Sequence, residues 1–253
     1  MRVSRKLTTV VAAVALAIAV LAAGGAGAAP STTTVVGNVE TEFGVGFSPK
    51  ALPEKGAVPI PSSFWWNVRT KDGSHPPALK EFRIRSDKHA ELDVKGVPMC
   101  QLPGSGPRLD PAAIRKACGP AIVGTGRIKG IVEFPGRGPV GFGGKLLAIN
   151  GGVEGGVTSL FVHTFLAAPV TAEIVITMQV KRIHKGRYGM ESITTIPKIT
   201  SGHGSVTYFK LKLDKGIFLA TCPDGRLRTR GTAVFADSTK AAATVVRPCT
   251  SKN

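Results

Sequence analysis

The chain has 253 residues, with 33 Lys+Arg against 16 Asp+Glu and a formal net charge of +17. At 43% apolar and 19% charged it is too hydrophobic for a disordered tail, and its length is ample for a sizeable core. Aromatics are only 6%, so that core is built mainly from Val, Ile, Leu and Ala, while 31 Gly and 18 Pro mark a turn-rich chain without a collagen period.

Residues 1–28 read as a secretory signal peptide. Arg2, Arg5 and Lys6 precede an uncharged run from Leu7 to Ala23, and Ala26-Gly27-Ala28 supplies an A-x-A cleavage site. The cut is expected after Ala28, because one residue later it would leave Pro30 beside the scissile bond. An uncleaved anchor helix is the alternative, but the run is at the short limit for spanning a bilayer. Loss of the three cations lowers the net charge to +14. No later run reaches membrane-spanning length, so the expected location is extracytoplasmic, in the cell envelope or beyond. Cys100, Cys118, Cys222 and Cys249 fit that compartment. They contain no CxxC, and proximity along the chain favours two local disulfides, Cys100–Cys118 and Cys222–Cys249, each contributing ~3 kcal/mol.

Residues 29–41 are polar and Thr-rich and are expected to be a flexible lead-in to a single β-rich domain over 42–253. From there, period-2 alternation broken by Gly, Pro and Asp-Gly predicts antiparallel strands. Ser63–Arg69 is one strand, and Phe82, Ile84 and the segment up to Val94 predict another pair. A single helix is predicted, with Asp110 as N-cap, Pro111 in the first position, Ala112–Cys118 continuing and Gly119 as the stop. Ile122–Phe134 alternates, with Thr125, Arg127, Lys129 and Glu133 on the wet side. Ser159–Leu166 is almost continuously apolar, as a strand covered on both faces would be. Glu173–Lys181 turns Ile174, Ile176, Met178 and Val180 inward. Ser205–Leu213 sets Tyr208, Lys210 and Lys212 on its outer face. Ile217–Cys222 and Arg226–Phe235 flank Pro223-Asp224-Gly225 and predict a hairpin, and Val245–Cys249 is placed to close the sheet. Nine to twelve short strands with one short helix predict an antiparallel β-sandwich or open barrel.

The ordered series DGSHPPAL (72–79), GVPMC (96–100), AAIRKACGPAIVGTGR (112–127), GRYGMESITTIP (186–197), GHGSVTYF (202–209) and ATCPDGRL (220–227) resembles a family of secreted actinobacterial proteins of unknown function. The resemblance spans roughly residues 45–250 and implies export, the two local cysteine pairs and a compact β-rich domain. It carries no known activity, so it supplies no catalytic residues to transfer. Where that family tends to an Asp-Gly turn near its end, this chain has Asp237-Ser238-Thr239.

The chemistry-bearing patterns are sparse. His75, His89, His163, His184 and His203 form no HExxH or other metal-binding pair, and no GxSxG elbow is present. His163, inside SLFVHTFL, reads first as a buried, hydrogen-bonded core residue, and His203 between two glycines reads as loop. Neither GTGRIKG (124–130) nor Gly144-Lys145 has the spacing of a phosphate-binding loop, so no nucleotide, metal or other cofactor is expected. The remaining signal is cationic. Of the +14, residues 181–230 carry +8. Arg226, Arg228 and Arg230 project from one strand face, Lys210 and Lys212 are expected on a nearby strand, and Lys181, Arg182 and Arg187 crowd the approach to Tyr188. The sequence thus favours a non-enzymatic exported β-domain whose basic face binds anionic envelope lipids or wall polymers, with no nucleic acid as partner. The alternative is a secreted hydrolase using His163 or His203.

Overall fold

Alternation of apolar and polar residues runs with few interruptions from Ser31 to Pro248, and each alternating run pairs antiparallel with its neighbours. The computed structural model describes residues 30–102, 110–134, 136, 138–168 and 171–252, so the signal-peptide reading of residues 1–28 lies outside the described part. The strands in chain order are β1 (Ser31–Val36), β2 (Val39–Phe47), β3 (Ala51–Pro53), β4 (Val58–Pro59), β5 (Ser62–Thr70), β6 (Leu79–Asp87) and β7 (Ala90–Leu92). After the helix α1 (Pro111–Cys118) come β8 (Ile122–Val132), β9 (Val140–Glu154), β10 (Val157–Leu166), β11 (Ala172–Lys185) and β12 (Tyr188–Thr195). The remainder are β13 (Gly204–Leu213), β14 (Phe218–Ala220), β15 (Arg226–Phe235), β16 (Lys240–Pro248) and β17 (Thr250–Lys252).

Twelve of these form one antiparallel sheet in the order β1-β2-β5-β13-β8-β9-β10-β11-β12-β6-β15-β16. The sheet curls until its first and last strands meet, giving a nearly closed barrel. At the seam, Thr32 and Thr34 donate their hydroxyls to the carbonyls of Thr244 and Ala242 on β16, each at 3.1 Å. Side-chain hydroxyls thus cover the two edges that a sandwich would leave open. Inward residues fill two clusters, one around Ile128, Leu146, Leu160 and Met178 and the other around Phe43, Trp66, Phe82 and Phe235. Phe64, Ile196 and Phe209 bridge them.

One end of the barrel is sealed. Strands β4, β14 and β7 form a three-stranded sheet there, β17 pairs with β3, and Leu52, Ile60, Ala220 and Leu227 pack around the Cys222–Cys249 disulfide. The other end carries a 3₁₀ turn, Ile199–Gly202, between β12 and β13. Outside the wall, Asp110 accepts from the N–H groups of Ala112 and Ala113 and starts α1 as predicted. Ile114 and the Cys100–Cys118 disulfide then pack that helix on Leu147 and Ile149. This outer layer explains the continuous apolarity of β10: Leu160 and Val162 face the interior while Phe161 packs under the helix layer.

Two expectations are corrected, and one strand is found that the sequence does not announce. Residues 29–41, expected to be flexible, supply β1 and the start of β2, because the Thr side chains have a partner strand at the seam. The Pro223-Asp224-Gly225 turn does not make a hairpin: β14 pairs with β4 and β7 in the small sheet, whereas β15 pairs with β6 and β16. The turn therefore carries the chain between sheets, which the disulfide one residue before it accommodates. The strand β9 was hidden by Gly141, Gly143, Gly144, Gly151 and Gly152, which blank out its alternation. At the Asp237-Ser238-Thr239 departure, Ser238 itself takes the left-handed conformation (φ 69°), with Asp237 accepting from the Thr239 N–H.

Candidate anion-binding faces

The arginine row of β15 points outward, as its period requires, but it does not stand alone. Arg230 lies opposite Arg85 of β6, Arg85 opposite Glu191 of β12, and Glu191 opposite Lys181 of β11. Glu191 is buried beneath these cations at 3% exposure. It accepts from Arg85 Nε at 2.7 Å and lies 3.6 Å from Arg83 Nη1 and 3.9 Å from Lys181 Nζ. Burial pushes the Glu191 carboxyl up, but the Arg85 hydrogen bond and the fields of Arg83, Arg85 and Lys181 outweigh it and hold it below the usual range. Asp87, also buried, accepts from the Arg228 N–H at 3.0 Å and faces its guanidinium at 3.9 Å. Arg182 pairs with Glu91 at 2.5 Å at the rim of a cleft of about 950 Å³ beside the sealed end. Arg226 and Arg187 are exposed and form no ion pair among the described residues. Arg230 is exposed and likewise forms no ion pair among the described residues, so of the β15 row only Arg228 has a carboxylate, while Glu191 serves Arg83, Arg85 and Lys181. No local motif announces these partners, since Glu191 and Asp87 meet the arginines only through strand pairing.

Lys210 and Lys212 are not on a nearby strand. Six strands separate β13 from β15 along the sheet, and four across the seam, so the expected single basic surface divides into two. On β13 the company is different. Lys210 lies opposite Arg127 of β8, and Arg127 opposite Lys145 of β9, so three cations stand side by side across three strands. Neighbouring strands are ~4.8 Å apart, which puts all three within one Debye length. Lys129 lies one row away, opposite Tyr208. Lys212 alone has a counter-ion, Asp214 at 3.3 Å; Arg127, Lys129, Lys145 and Lys210 are exposed and have no ion pair among the described residues. Like charges in register cost roughly 0.2–1 kcal/mol per pair. Trp65 of β5 flanks the row on its open side, with Lys210 Nζ 5.9 Å from its ring. The indole lies flat over Gly44 of β2, where a Cβ would come within 1.9 Å of it.

The histidines resolve into separate sites. His163 is 1% exposed and its Nε2 lies 2.9 Å from Glu173 Oε1, the buried, bonded state expected of it. His203 is exposed at the end of the 3₁₀ turn, and no side-chain hydrogen bond joins it to a described residue. His75 lies 3.4 Å from the buried Ser205 hydroxyl, which donates to the Pro76 carbonyl instead. His89 faces Asp224 at 3.3 Å.

No family model, curated protein or solved structure matches the chain. The two disulfides are compatible with an extracytoplasmic protein, and among the described residues no helix is long and apolar enough to cross a membrane.

Proposed function

We propose that this is an exported, non-enzymatic β-barrel that binds phosphate- or carboxylate-bearing components of the cell envelope through the outer face of β5, β13, β8 and β9. The observation that carries the reading is the row Lys210–Arg127–Lys145, three like charges in register without a carboxylate. Such a row is unfavourable by itself and becomes favourable when an anionic surface neutralises it. Trp65 and Tyr208 beside it offer the amphipathic rings that suit a headgroup boundary. Export by a signal peptide cut after Ala28 agrees with the basic-apolar-small order of residues 1–28, and the resemblance to secreted actinobacterial proteins points the same way.

The test is co-sedimentation with phosphatidylcholine vesicles with and without phosphatidylglycerol, and with a delipidated cell-wall preparation. Each cation near an anionic surface contributes about 1 kcal/mol, so Arg127→Ser with Lys210→Ser should weaken binding by roughly 30-fold. Arg226→Ser with Arg228→Ser and Arg230→Ser should change it far less, because β15 lies apart from β5, β13, β8 and β9 around the barrel. The arm that retains the protein identifies lipid or polymer. Equal binding by wild type and the Arg127/Lys210 variant, or no binding at low salt in either arm, refutes the reading.

A further inference from the structure

Between the two interior clusters lies a cavity of about 60 Å³ whose wall, with Phe64, Phe82, Ile176, Met178 and Phe209 among its residues, is apolar except for Thr164 and Thr194. At the turn end of the barrel a second space of about 360 Å³ opens outward, lined by Phe142, Leu166, Ile174 and Lys198. The two share Ile174, Pro197 and Ile199 as walls. Ile199 is the plug. It packs against both the interior cluster and the cluster at this mouth, and it folds over Gly204, where a Cβ would lie 2.6 Å from its Cγ2.

The turn that carries this plug is strained. Thr200 (φ 50°) and Ser201 (φ 57°) are successive non-glycine residues in the left-handed region, and Gly202 follows at φ 102°. A β-branched residue there is an outlier that only surrounding structure sustains, and such segments belong to the low-stability end of a fold. The turn has no side-chain cap; the His203 N–H, shared between the Ile199 and Thr200 carbonyls, holds it. At the opposite end Leu52, Ile60, Ala220 and Leu227 pack around the Cys222–Cys249 disulfide.

We propose that the barrel takes up one long-chain carboxylate, its aliphatic tail entering past Ile199 and its carboxylate resting at Lys198. The chain is aliphatic because the interior offers it almost no hydrogen-bond partner, and apolar cavities stay dry, so no ordered water has to leave. The interior space alone is smaller than the ~150 Å³ that admits a benzene-sized guest, whereas the two spaces joined fall in the ~300–1,000 Å³ range of ligand sites. Displacement of Ile199 joins them. The head is anionic because Lys198 is exposed at the rim without an ion pair among the described residues, while Glu173, the other charged lining group, is engaged by His163. The proposal does not rest on the cationic outer face, and the two fail separately.

The test uses the two tryptophans as reporters. Trp66 is buried inside, its ring 4.9 Å from that of Phe82 on the cavity wall, while Trp65 lies outside. In Trp65→Phe, dibromostearic acid should quench most of the remaining Trp66 emission, saturably and at one ligand per chain. Lys198→Glu should weaken that binding about tenfold without altering affinity for the corresponding methyl ester. Ile176→Phe, which fills the cavity, should abolish it. No saturable quenching in Trp65→Phe overturns the proposal even if Ile176→Phe does not fold. Quenching seen only in Trp66→Phe overturns it too, and places the fatty acid on the outer face instead.

Discussion

Glu191 is the residue whose loss the barrel wall should feel most, and Glu191→Gln removes its charge while keeping its shape and one acceptor. Its contacts with Arg85 at 2.7 Å and Arg83 at 3.6 Å each correspond to roughly 4–6 kcal/mol of attraction at an effective dielectric constant near 20, before desolvation. Desolvation of the buried carboxylate cancels much of that. The partners are 33%, 28% and 48% exposed (Arg83, Arg85 and Lys181), so water already serves them in part. The net cost then lies below the 3–5 kcal/mol of a fully buried pair, at ~2 kcal/mol. In a domain of this size that lowers Tm by about 4–8 °C. The pH dependence follows from the sign of the shift. The folded carboxyl titrates below its unfolded value of ~4.3, so its stabilisation is complete above that value and is lost as pH falls through the folded one. Thermal unfolding of wild type and Glu191→Gln between neutral and acid pH should show a gap that closes below about pH 4. A variant within ~0.5 kcal/mol of wild type at neutral pH, or a gap that persists unchanged into acid, would refute the reasoning.

Two further outcomes test the barrel itself. Thr32→Val with Thr34→Val removes both seam hydrogen bonds and should cost ~1 kcal/mol each, with faster amide exchange confined mainly to β1 and β16; unchanged exchange there means the seam is held by something else. Replacing Cys222 and Cys249 by Ala opens a 27-residue loop worth ~3.5 kcal/mol of unfolded-state entropy, and should lower denaturant stability by that order, while an unchanged midpoint would show that the sealed end does not depend on the crosslink.

Several features are legible in short stretches of the sequence. The helix start at Asp110 needs only a cap and the proline beside it, and the inward faces of β11 and β13 need only alternation. The proximity of each cysteine pair along the chain was enough for both disulfides. Strand β9 escaped because glycine has no side chain to report a face, and β14 was misassigned because a good turn sequence does not say which strands it joins. The charged faces escaped for a similar reason. Arg127 and Lys129 were visible as wet positions of one strand, but nothing within β8 reveals that Lys210 and Lys145 flank it.

The sequence by itself determined that a strongly basic chain would form an antiparallel β-fold with two local disulfides, because alternation, caps and short loops are properties of neighbouring residues. It also located the cationic excess in residues 181–230. Only the tertiary structure decided what that excess means. Pairing between strands far apart in sequence divides the +8 stretch between two sides of a barrel, sets Glu191 and Asp87 against part of one share, and joins Lys210 of the other to Arg127 and Lys145 in a row without an ion pair among the described residues. Charge is a sum over residues, but a binding face depends on which charges share a row, and strand order is a long-range choice that no local pattern encodes.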